Sequence, residues 1–524
     1  MQIQELSLRN RQWPRGPAAL LFFAAAMLAQ AGTEEGARPI LTPAAGPAPR
    51  INGPKVYGAR PGRPFLYRIP CTGLRPMRFS AEGLPPSLHL DDGAGIISGN
   101  VPESPGVYPI TIRASSRKGN SARPFKIVVG ETLALTPPMG WNDWYTYYDR
   151  IDEKSIRGNA DAMIASGMAD FGYAYVNIDG CWTMKPGSQD PMLNGEPRDS
   201  SGTLRPNRRF GDMRALTDYI HAKGLKAGIY SSPGPVDCAG YATSWEHEEA
   251  DAATWARWGF DFLKYDWCSY GKVAPHKTLE DYERPYRRMG EILKKLDRDI
   301  VFNLCQYGMG EVWKWGGDAG GNCWRTTGDL GLEKDTRLPG FYSVAFKNAE
   351  HFEYARPGRW NDPDYILIGH VGDARKMAPP EPTRLTADEQ YSYVSLWALM
   401  ASPLIFSGDL QQIDAFTLNV LCNAEVIDAD QDPLGKQARI VRKTPEEYIL
   451  AKPMEDGSVV AGLFNIGEKQ ETLTVSWSDL GLQGKRRVRD LWRQKNLGSA
   501  SDSYSTMVRR HGVALVRLSA AGGR

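Results

Sequence analysis

The chain has 524 residues, which at roughly 150 residues per domain predicts three to four domains. Its 63 Lys and Arg against 61 Asp and Glu leave a formal charge of +2, which argues against a partner held by phosphate neutralisation, such as nucleic acid. A charged fraction of 24% beside 42% hydrophobic residues excludes a disordered chain.

Residues 1–17 carry Arg9, Arg11 and Arg15 against one acid, Glu5, and an apolar run follows from Ala18 to Leu28. Ala29-Gln30-Ala31 closes it with a small-x-small pattern, so residues 1–31 read as a secretory signal peptide. The run is too short for a bilayer, and no other stretch approaches the 18 or so apolar residues a span needs. The expectation is a secreted or periplasmic protein without a membrane span. Loss of those three arginines and one glutamate leaves 60 basic and 60 acidic side chains, a formally neutral mature chain. Residues 32–50, rich in Ala, Pro and Gly, read as a linker.

From residue 51 to 130, short alternating runs recur between turn signals: Phe65–Tyr67, Met77–Phe79, Gly95–Ile97, Val107–Ile112 and Phe125–Val129. That spacing predicts a small β-sandwich, and Gly83-Leu84-Pro85-Pro86 with Gly95–Gly99 resembles the Ig-like modules attached to secreted bacterial enzymes. Residues 135–435 alternate strand and helix. Tyr173–Asp179, Lys226–Tyr230, Phe262–Cys268 and Ile300–Leu304 read as buried strands. Between them Ile156, Ala160, Met163, Ile164 and Met168, then Met213, Leu216 and Ile220, fall at helical spacing, the second helix closing at Gly224. Repeated β/α units over about 300 residues fit a closed barrel or a doubly wound sheet. Residues 438–524 return to strands at Ile440–Arg442, Tyr448–Ala451, Val459–Phe464, Thr472–Trp477, Val488–Leu491 and Gly512–Leu518, an antiparallel β domain.

The seven cysteines (71, 181, 238, 268, 305, 323 and 422) are an odd count, so at least one thiol stays unpaired, and no CxxC pair suggests zinc. His247-Glu248-Glu249-Ala250-Asp251 lacks the second His of a metalloprotease helix. Neither a metal site nor a cofactor is expected. In Leu263–Cys268, strand alternation turns Lys264, Asp266 and Cys268 to one face, where the two charges need partners. Asp179, Asp329, Asp364 and Asp409 also stand at apparent strand ends, where barrel active sites gather. Arg325 lies four residues before Asp329. With no Ser-His-Asp set and no phosphate loop, a carboxylate pair is the simplest chemistry available, and glycoside hydrolysis needs just that pair. Trp141, Trp144, Tyr145 and Tyr230 offer rings for a sugar to stack on.

Six segments occur in order: Pro137–Asn142, Asn177–Trp182, Leu263–Cys268, Trp324–Asp329, Trp360–Asp364 and Gln431–Lys436. Together they resemble the motif series of glycoside hydrolase family 27, the α-galactosidase (melibiase) family. The resemblance implies a (β/α)₈ barrel between the Ig-like module and the C-terminal β domain, and a retaining hydrolase of terminal α-D-galactosyl residues. It implies Asp266 as nucleophile and Asp329 as acid/base, with Trp141, Asp179, Tyr230, Lys264, Gln306, Arg325 and Asp364 around the sugar. It also implies a Cys238–Cys268 disulfide, worth about 3–4 kcal/mol as a loop closure. The implied partner is an oligo- or polysaccharide; oligomeric state stays open.

Departures bear on the sugar. The family usually has two consecutive Asp where this chain has Asp179-Gly180, a lost charge-assisted hydrogen bond of about 1.5–3 kcal/mol. Tyr365 stands where Met is frequent, Gln306 where some members have Glu, and Thr146 where Cys181 usually finds its partner. Other pyranosides handled within the family (β-L-arabinopyranosides, α-N-acetylgalactosaminides, isomalto-type glucans) are the alternative substrates. A non-catalytic glycan-binding protein is the alternative class.

Overall fold

The computed structural model describes residues 39–521 apart from residue 275, residues 331–336 and residues 374–375. The expected signal peptide and residues 32–38 of the expected linker lie outside the described residues.

The first domain is the expected sandwich. A four-stranded sheet, in the order Val56–Ala59, Gly119–Val129, Gly106–Ser116, Arg78–Glu82, faces a three-stranded sheet of Pro64–Arg68, Ile96–Asn100 and Leu88–Asp91. Alternation along each strand turns Phe65, Tyr67, Ile97, Ile110, Ile112, Phe125 and Ile127 into one shared core.

The central domain is a barrel of eight parallel strands: β1 Met139–Asn142, β2 Tyr175–Asn177, β3 Lys226–Ser231, β4 Phe262–Asp266, β5 Val301–Cys305, β6 Cys323–Arg325, β7 Trp360–Asp362 and β8 Leu404–Phe406. From β1 to β7 each pairs with the next, β8 pairs back onto β1, and an isolated parallel bridge from Ile366 to Phe406 closes the ring between β7 and β8. This settles the choice that periodicity leaves open between a barrel and a doubly wound sheet. Helices Glu153–Ala165 and Met213–His221 begin at Asp152 and Asp212, whose carboxylates accept backbone N–H bonds as N-caps. Gly224 lies two residues past the Ala222 cap, in the left-handed region at φ +73°, rather than directly after the helix.

Strand alternation divides the barrel along its axis. Leu263 and Tyr265 pack outward with Tyr286 and Met289 of the helix Leu279–Lys295. Phe262 points inward and, with Val301, Cys323 and Trp360, forms an apolar plug near the strand starts. Two and four residues later along the same faces come Lys264, Asp266, Asn303 and Arg325. The interior therefore changes from apolar to charged towards the strands' C-terminal ends, the end at which barrels carry their sites.

The last domain is a six-stranded antiparallel sheet, ordered Arg439–Lys443, Glu447–Pro453, Val459–Asn465, Val513–Ala520, Arg486–Asp490, Lys495–Ala500, with a separate pair Glu471–Ser476 and Ser503–Val508. Trp477 opens a short helix, capped at its start by a Ser476/Asp479 capping box and closed at Gly481, instead of ending a strand. Lys495–Ala500 and Ser503–Val508 have no apolar run to announce them. The first is an edge strand, mostly exposed and held by backbone pairing. Among the described residues no helix is long and apolar enough to cross a membrane.

The Ig-like domain docks at the barrel's floor, away from the charged end. Buried Arg60 bonds Asp299 through Nε at 2.6 Å and donates to the carbonyls of Lys294 (2.5 Å), Leu296 (3.2 Å) and Arg298 (2.7 Å), which run from the last turn of the helix Leu279–Lys295 towards β5. A cation there meets the helix's unpaired carbonyls and its negative end. Arg60→Ala is expected to cost about 3–5 kcal/mol, the usual penalty for stripping one partner from a buried ion pair. Thermal unfolding should show the loss, while kcat/KM on a small glycoside stays unchanged.

Candidate active site

Backbone strain clusters at the charged end. Cys181, Ser269, Tyr307 and Asp364 are non-glycine residues in the left-handed region (φ +71°, +58°, +65° and +93°), each two to four residues past the end of a barrel strand. Each costs of order 1–3 kcal/mol and persists only where its surroundings over-determine it.

Asp266 ends β4 and is buried. Tyr307 donates to its Oδ1 at 2.6 Å and Tyr230 to its Oδ2 at 3.1 Å. Burial pushes its carboxyl above the usual range, while Lys264 and the Tyr307 hydroxyl pull it down. The Cys238–Cys268 disulfide, with Cα atoms 5.1 Å apart, closes beside it; both sulfurs lie 3.9 Å from the Tyr307 hydroxyl. The other five cysteines are free and buried, Cys181 among them, and Thr146 is buried as well.

Lys264, inward on the same strand, answers the expectation that it needs a partner: its ammonium lies 2.8 Å from Asp179 Oδ2. That oxygen also accepts from Asn142 Nδ2 at 2.8 Å and the Tyr365 hydroxyl at 3.0 Å. Burial works against the Lys264 charge, but Asp179 and its other anionic neighbours outweigh it and hold the ammonium protonated well above its ordinary range. The rings of Tyr365, Tyr230 and Trp144 surround it, with centroids 5.0, 5.5 and 5.8 Å away.

Asp329 lies beyond β6, its side chain 33% exposed, 3.2 Å from Arg325 Nη1. Arg325 Nη2 reaches Asp364 Oδ2 at 3.1 Å. Asp364 is buried; its Oδ1 accepts the Tyr365 N–H and its Oδ2 the Leu330 N–H. Burial raises its carboxyl to about 6 against the pull of Arg325. Arg325 thus spans a buried carboxylate and an open one. Tyr145, offered above as a stacking ring, is buried with its hydroxyl 3.4 Å from Asp364 Oδ2.

Three further candidates are buried in the structure. Trp141 is wholly buried, its indole N–H on the Gly408 carbonyl at 2.8 Å, so it has no face to offer a sugar; half-buried Trp144 stands by Lys264 instead. Gln306 is likewise enclosed, donating to the Met309 carbonyl at 2.8 Å, so it fastens the loop after β5 rather than lining the opening. Asp409 caps the turn Leu410–Gln412 through the Gln411 N–H. Tyr307, Asn142 and Asp237 escaped the sequence reading. Tyr307's position two residues beyond β5 was the available signal.

Asp237 bears on Gly180. A Cβ at position 180 would lie 2.8 Å from Asp237 Oδ2 and 3.4 Å from the Trp144 ring. Asp237 is buried, accepts the N–H groups of Cys181, Ala239 and Tyr241, and is raised by burial to about 6. The room for a second acid after Asp179 is therefore taken by a carboxylate from another loop. Gly180→Asp is expected to destabilise the fold by about 1–3 kcal/mol through overpacking beside a buried acid. It should also lower glycoside turnover rather than raise it, as thermal melts and steady-state rates on one preparation would show.

Known proteins share this architecture. The family model described as Alpha galactosidase A matches residues 136–432, that of the Alpha galactosidase C-terminal beta sandwich domain residues 446–518, and that of a "Putative Ig domain" residues 48–130. Alpha-galactosidase 2 of Arabidopsis thaliana is 36% identical over 399 residues, covering 75% of this chain and 92% of its own. A solved Bacteroides fragilis structure, described as a "putative alpha-galactosidase/melibiase", superposes with a TM-score of 0.82 at 34% identity, covering 91% of this chain and 99% of that one. Alpha-galactosidase I of Mortierella vinacea gives 0.66 at 31% identity, covering 74% and 98%.

Proposed function

The chain belongs to the alpha-galactosidase A family, and from that premise we propose that it is a retaining exo-glycosidase releasing terminal α-D-galactosyl residues. The observation that carries the mechanism is the unequal setting of two acids at one barrel end. Asp266 is enclosed, in contact with two phenols, while Asp329 is one-third open on the arm of Arg325. An enclosed, oriented carboxylate suits attack on the anomeric carbon. An acid in contact with solvent suits exchange of protons with a leaving group and with water.

In the first displacement an Asp266 oxygen bonds to the anomeric carbon. The bond from that carbon to the glycosidic oxygen breaks, and its electron pair leaves on the oxygen, which Asp329 protonates. In the second, Asp329 takes a proton from water as the water oxygen bonds to the anomeric carbon, and the ester's electron pair returns to Asp266. Asp179 and Lys264 face the same end as acceptor and donor for sugar hydroxyls, with Trp144 as the ring beside them. The signal-like residues 1–31 and the disulfide support an exported enzyme.

A panel of 4-nitrophenyl glycosides tests the reading, with the first-formed anomer followed by NMR. Release from the α-D-galactoside with α-galactose appearing first is expected. β-Galactose appearing first would overturn retention; release only from the β-L-arabinopyranoside or α-N-acetylgalactosaminide would overturn the sugar.

A further inference from the structure

We propose that Tyr307 is a positioning residue for this reaction: its phenol fixes one oxygen of Asp266 while its ring lies against Arg325, the cation that carries Asp329. The inference rests on the double displacement proposed above. Tyr307 bonds Asp266 Oδ1 at 2.6 Å, shorter than the 3.1 Å bond from Tyr230 to Oδ2, and the Arg325 guanidinium carbon stands 5.9 Å from its ring centroid. One side chain therefore touches the proposed nucleophile and the holder of the proposed acid.

Packing alone does not account for this placement. Tyr307 adopts φ +65°, where a bulky side chain is strained, and Gly308 follows at φ +83°. The Gln306 amide on the Met309 carbonyl and the Met309 N–H on the Gln306 carbonyl tie off this turn. Tyr286, a fully buried tyrosine near Asp266, leaves its hydroxyl without a hydrogen-bond partner among the described residues. A tyrosine can pack here without a partner, so the short bond from the strained backbone of half-buried Tyr307 points to its hydroxyl.

A donor on Oδ1 matters at both displacements. A charge-assisted O–H···O⁻ bond is strongest while Asp266 is anionic, so it favours the ionised carboxylate before attack and the returning carboxylate when the ester breaks. The other groups facing Asp266 are Lys264 on its own strand, Tyr230 on β3, Cys305 on β5, Tyr286 on the helix Leu279–Lys295, Asp179 past β2 and Asp329 past β6. Of these only Lys264 is a cation.

Tyr307→Phe keeps the ring and removes the donor. The expected result is a kcat/KM about 10- to 100-fold lower on an aryl α-galactoside. Its acid limb should move upward by about one pH unit. Tyr307→Leu, a second donor-less variant, should move the limb the same way. Tyr286→Phe, melting like the wild type, should leave rate and limb unchanged. An unshifted acid limb in either folded donor-less variant overturns the proposal, because a merely structural role would lower the melting temperature without moving it. Wild-type enzyme incubated with a slow fluorinated galactosyl fluoride separates the two readings. Absence of a glycosyl ester on Asp266 by mass spectrometry overturns the double displacement itself, whereas an ester there with an unshifted limb overturns only the role of Tyr307.

Discussion

Asp266→Gly is expected to lower turnover of an aryl α-galactoside by at least about 10⁴-fold, the scale on which removal of a covalent nucleophile acts. The variant keeps the barrel, since Asp266 ends its strand, its carboxylate is held by two side chains, and its backbone register with Cys305 does not depend on that carboxylate. It also opens a space in front of Tyr230 and Tyr307. Azide added to this variant should restore part of the rate by attacking the anomeric carbon from the vacated side. One displacement inverts, so the recovered product is the β-galactosyl azide. Wild-type-like turnover would reject Asp266 as nucleophile, and an α-azide would reject the single displacement that its removal leaves.

Asp329→Ala should behave differently, because the nucleophile remains. Substrates whose leaving group needs no proton, such as dinitrophenyl galactosides, should still form the glycosyl ester, while poorer leaving groups slow by about 10²- to 10⁴-fold, the range general acid catalysis supplies. The second displacement loses its base, so the ester should accumulate as a burst. Azide needs no deprotonation and should relieve that block, giving the α-galactosyl azide by two inversions. The opposite azide anomers from the two variants assign the two roles independently. Arg325 loses one of two carboxylate partners in this variant but keeps Asp364 at 3.1 Å, so the arm that held Asp329 stays anchored.

The three-domain architecture was legible because patterning repeats: sandwich runs at period two, buried barrel strands between amphipathic helices, then strands again. The site was legible wherever a charge interrupted an apolar strand, as in Phe262–Asp266, since such a charge must find a partner. What escaped were features without a pattern. Lys495–Ala500 is an edge strand recruited by backbone pairing. Trp141 and Trp144 are equivalent aromatics of one short stretch of sequence until the barrel buries one of them.

The sequence by itself determined the domain order, the inward set of Lys264 and Asp266, and the resemblance on which the cysteine pairing rests, because strand alternation and ordered motifs are properties of the chain. Only the tertiary structure decided that the ring closes through Ile366 and Phe406, that Asp237 fills the space beside Gly180, and that Tyr307 reaches Asp266. Those three depend on loops brought together from separate strand ends. No local spacing encodes which loop's side chain takes a given volume once the barrel has closed.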